Sequence, residues 1–384
     1  MRFAHIADTH LGYRQYNLDE REEDFYRAFH EAVDKIIAAK CDFVIHSGDL
    51  FDDPRPHVQA MVEAMNGLEK LKDAGIKVFA IAGNHDVLMR RGAMPPQRLY
   101  RSMELLTPMK PSRVFDDVYI CGMPYYSQIH SEALKEKLQE LAEAGKNYEK
   151  AVLMLHQGLD KYFHLEYELK FNDLPRSFDY YALGHVHKRI IGTYGDGKLA
   201  YPGSTEIWRI DELQDWEEKG KGFFIIDTKE FEVEKVNLDV RRFIKMEVDS
   251  RSNIQEIKNV LEGAKKPVVN ITITSDAQEY QRIYRKLINE LTDALYVNIK
   301  RNRVEEKEEI LFGRAVSIKE LIREALKEHS KTENEYAYSV FNALTKGDID
   351  DARSLTEDFY KNWNSNSDEP KAKKEEKGNL EVFK

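Results

Sequence analysis

The most constraining feature of this sequence is a short apolar run that ends in ligand-type side chains, a pattern that occurs five times. The clearest case is the run 78–82, which stops at Gly83 and is followed at once by Asn84, His85 and Asp86. A buried parallel strand that ends this way carries its polar residues to the carboxyl edge of a sheet, where open α/β folds bind ligands. Five such ends meeting at one point would form a site.

Helical segments alternate with the first three of these runs. Strands are predicted over residues 2–7, 42–46 and 78–82, with helices over about 21–39 and 57–74 between them. This β-α-β-α-β order predicts a parallel sheet with right-handed crossovers. We further predict that all the strand ends lie on the same edge of one sheet.

The polar residues at the five strand ends offer three kinds of metal donor. Asp8 and His10 follow the first strand, Asp49 the second, and Asn84 and His85 the third. His156 ends the fourth strand, and His185 and His187 follow the fifth. A mixture of carboxylate, imidazole and amide donors favours Mn²⁺, Fe²⁺ or Zn²⁺, whereas Mg²⁺ and Ca²⁺ prefer oxygen. The set exceeds the needs of one ion, but it suits two ions ~3.5–4 Å apart, an arrangement that hydrolyses phosphate esters.

Length, cysteine usage and charge bound the remaining possibilities. At 384 residues the chain is expected to form two or three domains. Its two cysteines cannot build a disulfide framework, so a cytoplasmic location is expected. No apolar run approaches the ~18–20 residues of a membrane span, and we predict no membrane contact. The net charge of −10 argues weakly against nucleic acid, although local basic patches can outweigh a global sum.

Shifts in the residue pattern predict the domain order. The predicted segments are an α/β domain over 1–238, a small α+β domain over 239–300, a linker over 301–316, a helical region over 317–363 and a polar disordered tail over 364–384. The helical region either packs back on the globular body or docks on another protein. A helix is also predicted over about 95–106. Its apolar residues, with Met61, Met65 and Leu68 of the preceding helix, belong either to the core or to a homodimer surface.

The strand-end motifs together resemble the calcineurin-like metallophosphoesterases over about residues 1–230. They read Asp8-x-His10, Gly48-Asp49, Gly83-Asn84-His85-Asp86, His156 and Gly184-His185-Val186-His187. A narrower resemblance is to archaeal double-strand-break repair nucleases of the meiotic-recombination-eleven (SbcD) type. It is carried by Asp8-Thr9-His10-Leu11-Gly12, Leu155-His156-Gln157-Gly158 and Tyr201-Pro202-Gly203-Ser204.

The resemblance implies an α/β fold, a metallophosphoesterase sandwich of mixed sheets flanked by helices. A small α+β capping domain and a C-terminal helix pair would follow it. It also implies a manganese-dependent DNA exonuclease or endonuclease that forms a homodimer. In that family an SMC-like coiled-coil ATPase of the SbcC (radiation-sensitive-fifty) type binds the helix pair, which here is about residues 317–363.

The resemblance also implies a role for each strand-end residue. The first ion would be bound by Asp8, His10 and His187. The second ion would be bound by Asn84, His156 and His185, and Asp49 would bridge both. His85 would stay off the metals and give a proton to the departing sugar oxygen. Adjacency alone suggests that Asp86 orients His85.

One position departs from the family pattern. Some relatives carry a second non-ligand histidine three residues after the bridging aspartate, where this chain has Asp52. A carboxylate is expected to repel DNA there, so the balance between exonuclease and endonuclease activity stays open. Predicted DNA contacts lie on the loops beside the strand ends. They are Tyr13, Arg14, Tyr16, Arg55, Arg90, Arg91, Lys188 and Arg189.

Two other functions remain open from the sequence. One is a phosphoesterase that acts on small molecules or phosphoproteins. The Arg-Gly pair that follows the bridging aspartate in protein phosphatases is missing, because Asp49 is followed by Leu50 and Phe51. The other is a non-catalytic scaffold that joins DNA to a partner, which the intact ligand set and His85 disfavour.

Overall fold

The computed structural model divides the chain into two compact units, Met1–Val304 and Glu305–Lys384. The residues it describes are 1–88, 93–163, 167–249, 252, 259, 261, 263–303, 326, 331–345 and 349–365. Within those ranges, no helix combines the length and the apolar character needed to cross a bilayer.

Two six-stranded sheets form most of the first unit. Their strands are β1 (Arg2–Ile6), β2 (Phe43–Ser47), β3 (Lys77–Ile81), β4 (Met103–Leu105), β5 (Ser112–Phe115), β6 (Val118–Met123), β7 (Lys150–His156), β8 (Tyr180–Gly184), β9 (Ile190–Tyr194), β10 (Gly197–Tyr201), β11 (Gly222–Asp227) and β12 (Glu232–Asn237). The first sheet has the order β12-β11-β1-β2-β3-β4, and the second has the order β5-β6-β7-β8-β10-β9. Both sheets are mixed, since β1 to β4 and β6-β7-β8-β10 are parallel and the remaining pairs are antiparallel.

Helices cover the outer faces of the two sheets. They are α1 (Asp19–Ala38), α2 (Val58–Asp73) and α3 (Ser131–Gly145), and a short helix, α4 (Leu213–Lys219), packs instead in a cluster with Phe243 and Val268. Apolar side chains of α1 and α2 pack on the first sheet, and those of α3 pack on the second. A separate buried cluster, which includes Phe43, Ile45, Val152 and Met154, fills the space between the sheets. The predicted sandwich of mixed sheets flanked by helices is therefore confirmed.

The helix predicted over about 95–106 is wrong. A 3-10 turn, Pro96–Leu99, is followed by the strand β4, which pairs in parallel with β3. The amide of Leu106 donates to the Ala80 carbonyl at 2.8 Å, and Met103 is buried. Apolar residues three and four apart fit a helical face, but sheet pairing at the edge of β3 overrides that local pattern.

The two sheets meet closely at the ends of β2 and β8. Ser47 Oγ donates to the Ala182 carbonyl at 3.0 Å across the sandwich. A Cβ atom on Gly184 would lie only 2.1 Å from the Ser47 carbonyl oxygen, so glycine is required for this approach. The prediction of a single shared sheet edge is wrong, because the strand ends come from two sheets that face each other.

A smaller three-stranded sheet follows in the same unit. It comprises β13 (Phe243–Val248), β14 (Val268–Ser275) and β15 (Tyr296–Arg303), all parallel, with α5 (Ala277–Glu290) between the last two strands. The ring of Tyr16 stacks on Tyr296 with centroids 4.1 Å apart, so this sheet contacts the loop that follows β1. The predicted domain boundaries at 238 and 300 stay predictions.

The second unit contains a helix pair, α6 (Lys331–Thr345) and α7 (Ile349–Ser365). The rings of Tyr336 and Phe359 stack with centroids 4.0 Å apart, and Tyr336 donates to Thr356 Oγ1 at 3.1 Å. Most of the predicted linker and the predicted tail beyond residue 365 lie outside the described residues.

Candidate metal centre

The ends of β1, β2, β3, β7 and β8 bring the predicted strand-end residues together. Asp8, His10 and His187 form one group whose ligand atoms all lie within 4.8 Å of one another. His10 Nε2 and His187 Nε2 are 3.0 Å apart. Asp8 Oδ2 is buried and, among the described residues, has no hydrogen-bond partner. An orphaned carboxylate oxygen beside two imidazole nitrogens fits a bound cation.

A second group lies beside the first. Asp49, His156 and His185 also have ligand atoms within 4.8 Å of one another. The Asn84 amide oxygen is 3.0 Å from His156 Nε2 and 2.9 Å from His185 Nδ1. The amide oxygen and both ring nitrogens therefore converge, which gives this group the mixed nitrogen and oxygen donors that suit a divalent ion.

Asp49 connects the two groups. Its Oδ2 atom lies 3.1 Å from His156 Nε2 and 3.9 Å from His10 Nε2, so one oxygen faces a histidine of each group. Its Oδ1 atom accepts the amide of His85 at 2.9 Å, which fixes the carboxylate. The arrangement can hold two divalent ions joined by one carboxylate.

Four residues of the centre have left-handed backbone conformations. The φ angles are 52° at Asp8, 43° at His10, 54° at Asp49 and 84° at His185. Residues other than glycine rarely adopt positive φ, and strained backbone of this kind concentrates at functional sites. The backbone strain thus lies where the strand ends turn their side chains towards the centre.

Hydrogen bonds outside the centre fix two of the imidazole rings. His156 Nδ1 lies 2.7 Å from the Ser47 carbonyl oxygen, which can only accept. His187 Nδ1 lies 2.9 Å from a carboxylate oxygen of Glu212. Each Nδ1 therefore donates a proton to its acceptor, which leaves Nε2 as the ring atom that can bind a cation.

Buried charges shift the protonation of the centre. Burial alone would lower the pKa of His156, but the charge of Asp49 raises it to about 9. Burial would raise the pKa of Asp49, and the charge of His156 holds it below its usual range. Burial, and then the charge of His156, lowers the pKa of His185 to about 3. Asp49 therefore stays ionised, and His185 stays neutral with a lone pair available to a cation.

His85 lies at the edge of the centre. Its Nδ1 donates to the Asp52 carbonyl oxygen at 2.8 Å, and its ring lies 4.9 Å from that of His10. With Nδ1 engaged, Nε2 is the atom that remains for proton transfer. His85 also forms a ligand-type group with His10 and Asp52 within 4.8 Å, so its predicted role away from the metals stays a prediction.

Asp86 does not orient His85, contrary to expectation. Its buried carboxylate accepts the amides of Gly83 at 2.9 Å, Phe51 at 3.0 Å and Leu50 at 3.3 Å. These bonds tie the loop after β2 to the loop after β3. Adjacency in sequence was misleading here, because residues 83–86 form a turn, in which the Asp86 amide donates to the Gly83 carbonyl at 3.3 Å and the two side chains diverge.

Asp52 has a contact that the sequence did not reveal. Its Oδ1 atom accepts the indole N–H of Trp208 at 3.0 Å and lies 3.3 Å from His10 Nδ1. The Trp208 ring stacks on His10 at 5.3 Å and meets His187 edge-on at 5.0 Å. Asp52 thus links Trp208 to the His10 side of the centre. Trp208 and Glu212 were missed because the irregular loop that carries them has no periodic pattern.

The residues predicted to contact DNA differ in their exposure and in their contacts within the chain. Arg55 and Lys188 are exposed on the loops that follow β2 and β8. Arg14 is ion-paired with Asp19, and Tyr13 lies 5.4 Å from the Trp208 ring. Arg90 and Arg91 lie outside the described residues.

Arg189 was wrongly expected at the surface. The residue is 2% exposed, and its guanidinium donates to the carbonyl oxygens of Val236 at 2.6 Å and Lys219 at 2.8 Å. It also donates to the Asn237 side chain and, at 3.3 Å, to the Pro202 carbonyl. The Arg189 side chain is therefore hydrogen-bonded in the interior and is not available to contact DNA.

Two sandwiched mixed sheets with an Asp/His centre at their joined strand ends have the architecture of a metallophosphoesterase. The profile of the calcineurin-like phosphoesterase family matches residues 1–189. The DNA double-strand break repair protein Mre11 of Methanocaldococcus jannaschii is 43% identical over 277 residues, which cover 70% of this chain and 75% of that protein.

Two further relatives carry the same name. Mre11 of Methanococcus maripaludis is 36% identical over 379 residues, covering 94% of this chain and 99% of that protein. Mre11 of Sulfurisphaera tokodaii is 34% identical over 321 residues, covering 80% and 82%. The chain belongs to the Mre11 family of calcineurin-like phosphoesterases.

Proposed function

We propose that this chain is a manganese-dependent DNA nuclease with two metal ions, which processes the ends of DNA double-strand breaks. The observation that carries the proposal is the pair of ligand groups joined through Asp49. The mixed oxygen and nitrogen donors of these two groups suit Mn²⁺ better than Mg²⁺. The relatives named as double-strand break repair proteins support DNA as the substrate.

The ligand assignment follows the two groups. Asp8, His10 and His187 would hold the first ion. Asn84, His156 and His185 would hold the second, and Asp49 would serve both. Two such ions would supply an activated water as the nucleophile and would neutralise negative charge on the phosphate.

His85 supplies the proton for the leaving group in this proposal. The Asp52 carbonyl oxygen holds its Nδ1–H, so the proton given to the departing sugar oxygen comes from Nε2. The amide of His85 bonded to Asp49 keeps the residue next to the bridging carboxylate. Arg55 and Lys188 then contribute phosphate contacts near the scissile bond.

The helix pair is the proposed docking site for an SMC-like coiled-coil ATPase. Tyr360 is 65% exposed and Phe341 is 36% exposed, although each lies on a helix with an apolar stripe. Exposed aromatic side chains on a helical hairpin suit docking on an apolar surface of a coiled-coil partner.

A homodimer is proposed through α2 and the turn Pro96–Leu99. Val58 is 70% exposed, Met94 is 68% exposed and Leu99 is 69% exposed, and Met65 on α2 is also exposed. Large apolar side chains exposed together mark association surfaces. Met65→Glu together with Leu99→Glu should convert a dimer to a monomer in sedimentation equilibrium, whereas an unchanged mass would contradict this surface.

The test of the proposed activity is nucleotide release from linear duplex DNA with Mn²⁺. Wild-type protein should cleave, and His85→Asn should lose about 10²–10⁴-fold in rate while still binding metal. Cleavage unchanged in that variant would refute the role of His85. Turnover of phosphate monoesters without DNA cleavage would favour a phosphoesterase that acts on small molecules or phosphoproteins.

A further inference from the structure

Glu212 is a buried carboxylate that contacts His187 on the side of its ring that faces away from the metal centre. It ends the 3-10 turn Ile210–Glu212, after β10 and before α4. Its Oε1 atom accepts His187 Nδ1 at 2.9 Å and the Arg209 amide at 3.0 Å. Its Oε2 atom accepts Ser204 Oγ at 3.2 Å and a hydrogen bond from Lys221. Both oxygens are thus engaged, and one of them holds a ring of the centre.

Lys221 balances the charge of this carboxylate. The side chain is 1% exposed, and its ammonium donates to Glu212, to Ser204 Oγ at 2.7 Å and to the His187 carbonyl oxygen at 2.9 Å. All three donors of the ammonium group are used. Lys221 therefore fixes the main chain of His187, while Glu212 fixes its ring.

The two halves of the centre are supported by different acceptors. The ring of His156 is held by the neutral carbonyl oxygen of Ser47, whereas the ring of His187 is held by a carboxylate. A carboxylate is the stronger acceptor, and it raises the electron density on the opposite ring nitrogen, which strengthens that atom as a metal ligand. The asymmetry predicts that loss of the carboxylate affects only one of two ions.

We propose that Glu212 is a positioning residue that sets the tautomer and ligand strength of His187, with Lys221 as its counterion. The proposal rests on the two-metal function above and specifies how one of the two sites is tuned. A buried ion pair is by itself weak evidence of a contribution to stability, so its contact with a metal-facing ring is the informative feature.

The test separates metal affinity from folding. Mn²⁺ binding is titrated calorimetrically for wild type, Glu212→Gln, Lys221→Met and the double variant, with guanidinium-induced unfolding measured in EDTA. Glu217→Gln, an exposed change on α4, is the matched control. We expect Glu212→Gln to weaken one of the two Mn²⁺ sites about 10–100-fold and to leave the other within about twofold.

The double variant distinguishes positioning from a structural role. Replacing both members removes the uncompensated buried charge, so resistance to unfolding should recover relative to either single variant. The weakened Mn²⁺ site should not recover, because His187 still lacks its carboxylate. Three results would overturn the inference while leaving the two-metal proposal intact. They are recovery of both stability and Mn²⁺ affinity in the double variant, equal loss of affinity at both sites, and unchanged Mn²⁺ affinity in Glu212→Gln. Wild-type protein that binds fewer than two Mn²⁺ ions would overturn both.

Discussion

Replacing Gly184 by alanine tests how the two sheets assemble the metal centre. The added Cβ would lie 2.1 Å from the Ser47 carbonyl oxygen and 2.8 Å from His156 Nδ1. For an ordinary van der Waals contact, the added Cβ and the Ser47 carbonyl oxygen would have to lie more than an ångström further apart. The ends of β2 and β8 must therefore move apart, and the hydrogen bond between Ser47 and His156 is strained or lost.

The expected cost of Gly184→Ala follows from those two contacts. Overpacking in a rigid core costs about 1–3 kcal/mol. Loss of the 2.7 Å hydrogen bond to His156 adds about 1 kcal/mol. We expect the free energy of unfolding to fall by about 2–4 kcal/mol. Mn²⁺ affinity should fall as well, because His156 loses the acceptor that orients its ring.

Guanidinium-induced unfolding in EDTA measures the stability change without a contribution from bound metal. Gly145→Ala is the matched control, since its added Cβ would come no closer than 3.5 Å to any described atom outside its own helix. That control should lie within about 1 kcal/mol of wild type. A Gly184→Ala variant within about 0.5 kcal/mol of wild type, with normal Mn²⁺ binding, would refute the close approach of the sheets.

Three further predictions address other parts of the chain. Arg189→Met should lower the free energy of unfolding by about 3 kcal/mol in guanidinium titrations, because it orphans buried carbonyl groups. The salt dependence of DNA affinity should stay unchanged, and a shallower slope would return Arg189 to the DNA contacts. His5 is buried, and burial followed by the charge of His46 lowers its pKa to about 3. Below pH 6.5, His5 therefore binds a proton in the unfolded chain but not in the native state. Wild type should therefore lose about 2 kcal/mol more than His5→Asn between pH 7 and pH 5, and parallel stability curves would contradict this. Deleting residues 331–384 should abolish binding of the proposed SMC-like ATPase in pull-down assays and keep Mn²⁺-dependent DNA cleavage, whereas retained binding would exclude the helix pair as the docking site.

The residues of the centre could be predicted because a simple rule locates them. Buried parallel strands read as apolar runs, and the residues just beyond each run reach the carboxyl ends of the strands. Asp8, Asp49 and His156 follow that rule, and the structure brings them together. The division of the strands between two sheets did not follow, because apolar periodicity does not reveal which strands become neighbours.

Residues that depend on irregular segments escaped prediction for a physical reason. Trp208 and Glu212 sit on the loop between β10 and α4, whose course depends on side-chain hydrogen bonds rather than on periodicity. Lys188 and Arg189 are adjacent and similar in charge, yet one is exposed and the other buried. Sequence alone cannot separate them, since the difference arises from the carbonyl groups that surround the Arg189 guanidinium.

The central claim is that this chain holds two metal ions bridged by Asp49. The most direct test is anomalous diffraction from crystals grown with Mn²⁺, which locates each ion and its ligands. We predict two peaks per chain. One lies against Asp8, His10 and His187, the other lies against Asn84, His156 and His185, and Asp49 contacts both. A single peak, or a peak held by His10, Asp52 and His85 in place of either, would contradict the account.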